Sequence, residues 1–337
     1  MTVSLKPVEE QVIIITGASS GIGLCTARMA ARRGARLVLA ARNAEALRRL
    51  ASEINESGGG AAYVVADVGN EADIEKIAAE AIDKFGSFDT WVNNAAGSIY
   101  GKLEDVPIKD FHRLFETNFW GVVYGSLVAS RHLKTSGGAI INVGSTLGDR
   151  AIPLQGMYSA SKAAVKGFTD ALRMELESDH APISVTLIKP AAIDTPYIEH
   201  APNYLDVEPL NPPPVYSPDT VAETILYCAE NPVRDVFVGA AAKAHSMLGA
   251  YAPRVADAIM ETTFLGQTRT GKPPQPKPLE SLYEGRDSRL HERGTYGGHV
   301  AESSLYTRAS LHPLLTGAAL AIGAGITYSL LKKDRAG

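Results

Sequence analysis

Thr16-Gly17-Ala18-Ser19-Ser20-Gly21-Ile22-Gly23 closes a short β-branched run, Val12–Thr16, and opens an amphipathic stretch, Ile22–Arg33. A glycine-rich turn between a strand and a helix is built to receive phosphate. Gly17 permits a tight turn, Gly21 lets backbone approach a pyrophosphate, and Gly23 lets the helix pack closely on the sheet. Backbone N–H groups over Ser19, Ser20, Gly21 and Ile22, at the positive end of the helix dipole, then face the anion. A glycine-rich turn alone is weak evidence; its place directly after the first strand is what gives it weight. The spacing is Gly-x3-Gly-x-Gly rather than the Gly-x-Gly-x2-Gly of the general dinucleotide fingerprint.

Outward from this turn, short apolar runs alternate with longer amphipathic ones as far as Val238. The runs Arg36–Ala41, Ala62–Val65, Phe88–Asn93, Ala139–Val143, Ile183–Ile188 and Val236–Val238 read as further strands covered on both faces. Between them, Ala44–Glu56, Glu71–Phe85, Phe111–His132, Tyr158–Glu177 and Thr220–Glu230 read as helices. This alternation predicts an α/β fold, a doubly wound parallel sheet of Rossmann type with about seven strands and right-handed crossovers.

The composition fits. Of 337 residues, 45% are hydrophobic and 21% charged, as in an ordinary globular protein. A formal net charge of −4 gives no reason to expect nucleic acid as a partner. Cys25 and Cys228 cannot form a metal cage by themselves and read as small buried hydrophobes, so no metal site is expected. Met1–Gln11 carries charges where an export signal needs an apolar core, which predicts a cytoplasmic catalytic domain.

Cofactor choice is decided at the end of the second strand. A carboxylate there binds the ribose 2′-hydroxyl of NAD, whereas an arginine receives the 2′-phosphate of NADP. The sequence is Leu39-Ala40-Ala41-Arg42-Asn43, with an arginine and no acid, so NADP(H) is expected over NAD(H). Arg42 as a solvated surface residue is the alternative. Asp67, after the third strand, is placed to accept from an adenine amino group or, alternatively, to cap a helix.

Tyr158 and Lys162 stand four apart on a predicted helix and so share a face. Ser145 lies just past the fifth strand, and Asn118 inside the preceding helix. A free tyrosine titrates near 10, too high for easy proton exchange at neutrality. A lysine ammonium nearby, with a positive nicotinamide ring, would lower that value. Tyr158 could then donate a proton to an alkoxide or accept one in reverse, with Ser145 orienting the substrate oxygen. Alone, a Tyr-x3-Lys pair is common and usually packs a core edge, the lysine stem lying beside the ring. The ordered set of glycine loop, Asn118, Ser145, Tyr158 and Lys162 is what points to catalysis.

These residues, with Asp67-Val68, Asn93-Asn94-Ala95, Tyr158-Ser159-Ala160-Ser161-Lys162 and Pro190 to Thr195, resemble the short-chain dehydrogenase/reductase family in its single-domain branch. The resemblance spans most of residues 10–240 and does not extend to the last hundred. It implies an NAD(P)-dependent oxidoreductase acting on a carbonyl/alcohol pair. It also implies that Val68, Asn94, Ala95 and Pro190 border the cofactor, and that Ile193 and Thr195 meet its carboxamide end. Asn118 would hold a main-chain kink, and Lys162 would bind the nicotinamide ribose. Ala96 and Ala191 stand where the family usually has glycine, which predicts slightly altered backbone. Homo-oligomer formation through the Phe111–His132 and Tyr158–Glu177 helices is a family expectation.

The tail has a different character. Pro202 to Pro218 holds six prolines and predicts a loop covering the substrate. Three parts are expected: a catalytic domain over 1–265, an extended linker over 266–312, and a hydrophobic helix over 313–337. Leu314–Leu331 carries no charge; as a helix it would be about 27 Å long, near the roughly 30 Å of a bilayer core. A membrane anchor is expected there, with an interfacial or a soluble docking helix as alternatives. An anchor would favour an apolar substrate. Two further readings stand beside the leading one: an extended-branch nucleotide-sugar epimerase or dehydratase, and a tethered NADP-binding protein without turnover.

Overall fold

The β-branched run at the amino end forms the middle of a parallel sheet in the computed structural model, which describes residues 3–267, 271–274, 276, 280–312 and 316. β1 (Val12–Thr16), β2 (Arg36–Ala41) and β3 (Gly60–Val65) are joined by α1 (Gly21–Arg32) and α2 (Ala44–Glu56). α3 (Glu71–Phe85) then crosses back to β4 (Thr90–Asn93). Next come α4 (Ile108–Phe115), a π-helical turn (Glu116–Trp120) and α5 (Gly121–Ser136), which lead into β5 (Gly138–Val143). α6 (Gly156–Ser178) and β6 (Ile183–Pro190) follow. Further elements are β7 (Ala192–Ile193), α7 (Tyr197–His200), β8 (Val215–Tyr216), α8 (Pro218–Glu230), β9 (Asp235–Val238), α9 (Ala240–Tyr251), α10 (Pro253–Ile259), a second π-helical turn (Met260–Phe264), α11 (Leu265–Gln267), β10 (Val300–Ala301) and α12 (Leu305–Leu311).

The seven-stranded sheet has the order β3-β2-β1-β4-β5-β6-β9, every neighbouring pair parallel. The doubly wound architecture is therefore as expected. Alternation along β1 shows why two helical layers are needed. Ile13 and Ile15 join Leu24, Leu47 and Val221 on one face, while Val12 and Ile14 join Ile74, Val128 and Leu172 on the other. Strand order reverses between β1 and β4, the place where a doubly wound sheet opens a crevice at its carboxyl edge. Caps set the helix starts: Asn43 accepts from Ala46 N at α2, and Asn70 from Ala72 N at α3. Leu39, fully buried in β2, tests the packing of the first layer. Leu39→Ala should cost about 2–5 kcal/mol of unfolding free energy in a urea titration, and a cost below about 1 kcal/mol would contradict the close packing described.

Two expectations change. The stretch expected as one helix over Phe111–His132 begins at Ile108, contains the π-helical turn, and runs on to Ser136. The stretch 266–312, expected as an extended linker, does not hang free where it is described. β10 pairs with β8, and β8 with β7, in a small parallel sheet. Leu282, Asp287, Ser304, Thr307 and Leu311 are buried. Backbone carbonyls and ion pairs hold this strap to the catalytic domain, as described below. The expected anchor at 314–331 lies outside the described residues, apart from Thr316; among the described residues no helix is long and apolar enough to cross a membrane.

Candidate active site

Thr16 ties the end of β1 to the end of β4. Its hydroxyl donates to Val92 O at 3.2 Å and accepts from the amides of Asn94 at 3.0 Å and Ala95 at 3.1 Å. The chain then turns through Gly17 at φ +69°, where a Cβ would stand 2.8 Å from Ala95 Cα. Gly23 is tighter still: a Cβ there would meet Gly17 O at 2.2 Å and Asn94 Nδ2 at 2.6 Å. The Asn94 amide occupies that corner, donating to Thr16 O at 2.9 Å and Gly17 O at 3.3 Å. This backbone cradle leaves Gly17, Ser19, Ser20, Gly21 and Ile22 facing a cavity of about 420 Å³. Gly23 sits behind the wall and sets its shape.

Arg42, Asp67, Val68, Asn94 and Ala95 border the same cavity. The Arg42 guanidinium donates to the backbone carbonyls of Ser281 and Leu282. Burial pulls its pKa below the usual arginine value. Asp67 is engaged otherwise than expected: its carboxylate pairs with Arg113 and accepts from Gly69 N at 3.0 Å.

Farther along the cavity wall lie Ser145, Tyr158, Lys162, Pro190, Ile193 and Thr195. α6 presents Tyr158 and Lys162 on one face, as their spacing requires. Tyr158 shares this wall with the Ser145 hydroxyl and stands beside Tyr197, and burial raises its pKa. The Lys162 ammonium donates to Val143 O at 2.9 Å and sits 5.8 Å from the centre of the Tyr158 ring. Burial lowers it to about 8. Asn118 is fully buried in the π-helical turn. Its side chain accepts from Gly97 N at 2.8 Å and donates to Gly97 O at 3.0 Å and Ser161 Oγ at 3.1 Å. It therefore joins the loop after β4 to α6 rather than facing the cavity.

The chain as a whole has counterparts among known proteins. Residues 11–203, more than half of the chain, match the family described as short chain dehydrogenase. The chain belongs to the short-chain dehydrogenase family. It is 49% identical over 320 residues to the uncharacterized oxidoreductase YxnA of Bacillus subtilis (strain 168), covering 94% of this chain and 90% of that one. It is 37% identical over 196 residues to 11-beta-hydroxysteroid dehydrogenase A of Sesamum indicum, covering 58% and 56% of the two chains. An alcohol dehydrogenase from the archaeon Thermococcus sibiricus, solved with 5-hydroxy-NADP, superposes with a TM-score of 0.60 at 27% identity, over 68% of this chain and 95% of that one.

As a short-chain dehydrogenase the protein is an oxidoreductase of the CH–OH group, and its family uses NAD(P). The residues present fit such a dinucleotide: the cradle formed by Gly17 and Gly23 excludes any side chain, and the cavity runs on from it to Tyr158. Ala96 and Ala191 border this cavity without closing it.

Several site residues were not foreseen. Tyr197 stacks edge-on against Tyr158, with ring centres 5.7 Å apart. Gln155 Nε2 donates to Ser98 Oγ at 2.9 Å and Tyr197 OH at 3.3 Å. Pro196-Tyr197, directly after Thr195, was the only sequence signal for this aromatic wall. Ser281, Leu282, Gly285, Arg286 and Asp287 complete the cavity from the strap.

Proposed function

We propose that the protein interconverts a carbonyl and an alcohol on a bulky apolar substrate with NADP(H), Tyr158 being the proton donor and acceptor. The observation that carries this reading is a single cavity bounded by the glycine cradle, Arg42 and the hydroxyls of Ser145 and Tyr158. NADP(H) is favoured by Arg42 and the absence of a carboxylate in Leu39–Asn43; the archaeal relative's complex with an NADP derivative agrees. An apolar substrate is favoured by Leu147, Ile152, Tyr197 and Pro212–Pro214 on the cavity wall, and by the plant relatives' names as hydroxysteroid dehydrogenases.

When bound, the nicotinamide ring gives or takes the hydride. The protein's own groups handle the oxygen and its proton. Ser145 Oγ donates to the substrate carbonyl oxygen and fixes its position. Tyr158, kept protonated by burial, delivers its phenolic proton to that oxygen as negative charge builds. Lys162, fixed by Val143 O, sets positive charge beside the ring and offers its remaining N–H groups to the cofactor ribose. Asn118 holds the loop after β4 against α6. Exposed Trp120, Leu127 and Met174 support an oligomer packed through α5 and α6.

The test is NADPH consumption against a panel of ketones and aldehydes. Bulky apolar carbonyls should be reduced with the highest kcat/KM; small polar carbonyls winning decisively would contradict the substrate class. A pH dependence follows. Tyr158 is raised and stays protonated, whereas Lys162 is lowered and loses its charge as pH rises through about 8. Reduction should be flat on the acid side and decline through that pH. Lys162→Arg, which stays charged, should move the decline upward. A rate climbing through the same range would contradict the assignment.

A further inference from the structure

The strap at Ser281–Gly294 lies across the cavity where Arg42 stands. Arg42 gives N–H groups to Ser281 O and Leu282 O, and Asn43 Nδ2 donates to Gly285 O at 3.0 Å. Arg113, which holds Asp67, donates through Nε to the same Leu282 carbonyl at 3.0 Å. Gly285 is pressed so closely that a Cβ would stand 3.0 Å from both Arg42 Cβ and Asn43 N. Farther on, His291 O accepts from Gly21 N at 2.9 Å, and a Cβ on Gly294 would meet Thr195 O at 2.4 Å. Polar contacts anchor it further: the ion pair of Arg28 with Glu292 at 2.9 Å, and a 3.0 Å hydrogen bond between His200 Nε2 and Asp287.

Arg42 is thereby left in an unusual state. Its partners in the structure are neutral carbonyls, and among the described residues no carboxylate pairs with it; the nearby Asp67 is taken by Arg113. A partly buried cation without a counter-ion is costly unless an anion completes it. The carbonyls fix the guanidinium plane and leave N–H groups unspent. Arg286 lines the same cavity from the strap; its side chain is half exposed, and among the described residues its ion pair is a 3.3 Å contact to the exposed Glu284.

We propose that the strap forms the second half of the cofactor's 2′-phosphate pocket, with Ser281 and Leu282 positioning Arg42 through their carbonyls and Arg286 as the second cation on the phosphate. This rests on the NADP(H) reading above and deepens it. It gives the last quarter of the chain a role in cofactor specificity, and it explains why glycine stands at 285, where main chain must approach Arg42.

The test uses the full chain and four proteins: wild type, Arg42→Ala, Arg286→Ala and Gly285→Val. Dissociation constants are measured for NADPH, NADH and 2′,5′-ADP, with melting temperature as the check on folding. Wild type should prefer NADPH, and Arg42→Ala should lose that preference. Arg286→Ala, a surface change that leaves the fold intact, should weaken NADPH and 2′,5′-ADP about tenfold and NADH by less than about twofold. Gly285→Val should lower the same NADPH-to-NADH ratio. If wild type and Arg42→Ala keep the expected behaviour while Arg286→Ala and Gly285→Val bind NADPH like wild type, the strap's role is overturned alone. A loss in Arg286→Ala equal for both dinucleotides also overturns it. If wild type binds NADH as tightly as NADPH, the NADP(H) reading fails and this inference fails with it.

Discussion

Tyr158→Phe should lower kcat for carbonyl reduction by about a hundred- to ten-thousandfold, with little change in folding. The magnitude follows from what is removed. Phenylalanine keeps the ring, its burial and its edge-on contact with Tyr197, whose centre lies 5.7 Å away. It deletes only the hydroxyl, which borders the cavity with Ser145. Losing general acid catalysis is worth roughly 3–5 kcal/mol at the transition state. Removing one hydroxyl from this wall costs the fold about 1 kcal/mol or less. Activity and stability should therefore separate: turnover collapses while melting temperature and NADPH affinity stay near wild type. Loss of folding in parallel with activity would contradict a chemical role for the phenol.

Gly23→Val should abolish measurable dinucleotide binding, by about two orders of magnitude or more. The clash is with main chain, since the new Cβ would lie 2.2 Å from Gly17 O. No rotamer relieves it. Either α1 withdraws from the sheet or the turn at Gly17 opens, and both displace the amides of the cradle. The Asn94 bonds to Thr16 O and Gly17 O would break as well, because that amide sits 2.6 Å from the added carbon. Overpacking of this kind costs about 1–3 kcal/mol or more, so the variant should fold with a lowered melting temperature. Retained NADPH affinity in calorimetry would show that the loop is not the dinucleotide cradle.

Much of this was readable from residues alone, and for a physical reason. Val12–Thr16, Arg36–Ala41, Ala44–Glu56 and Glu71–Phe85 are bounded in the structure where the pattern put them. Their signals are local: β-branched runs, Asn caps and apolar faces at helical spacing. The doubly wound sheet follows from such alternation. The proposed catalytic group stands out in the sequence because Tyr158 and Lys162 share one helix face, which fixes their neighbourhood before any tertiary contact is known.

What escaped has the opposite character. The π-helical turn at Glu116–Trp120 is a change in backbone winding, and hydrophobic periodicity does not register it. The Ala-rich stretch of α9 and α10 carries no clear apolar stripe to mark it as helix. Above all, the strap is held through carbonyls at Ser281, Leu282, Gly285 and His291, atoms that every residue type possesses. Such contacts leave no signature in composition, so a stretch rich in Gly, Pro and Arg reads as linker. Asp67 is a milder case: its placement near the cavity was foreseen, but its capture by Arg113 depends on a residue of α4 far away in sequence.

The central claim is hydride exchange at a carbonyl bordered by Ser145 and Tyr158, and isotope transfer tests it most directly. Wild type and Tyr158→Phe are each given NADPH deuterated at the transferring ring position, together with a bulky apolar ketone, and the alcohol is analysed. The account predicts deuterium on the carbinol carbon with wild type and almost none with Tyr158→Phe in the same time. Label transfer at equal rates by the two proteins, or tight NADPH binding with no label transferred to any carbonyl tested, would contradict it.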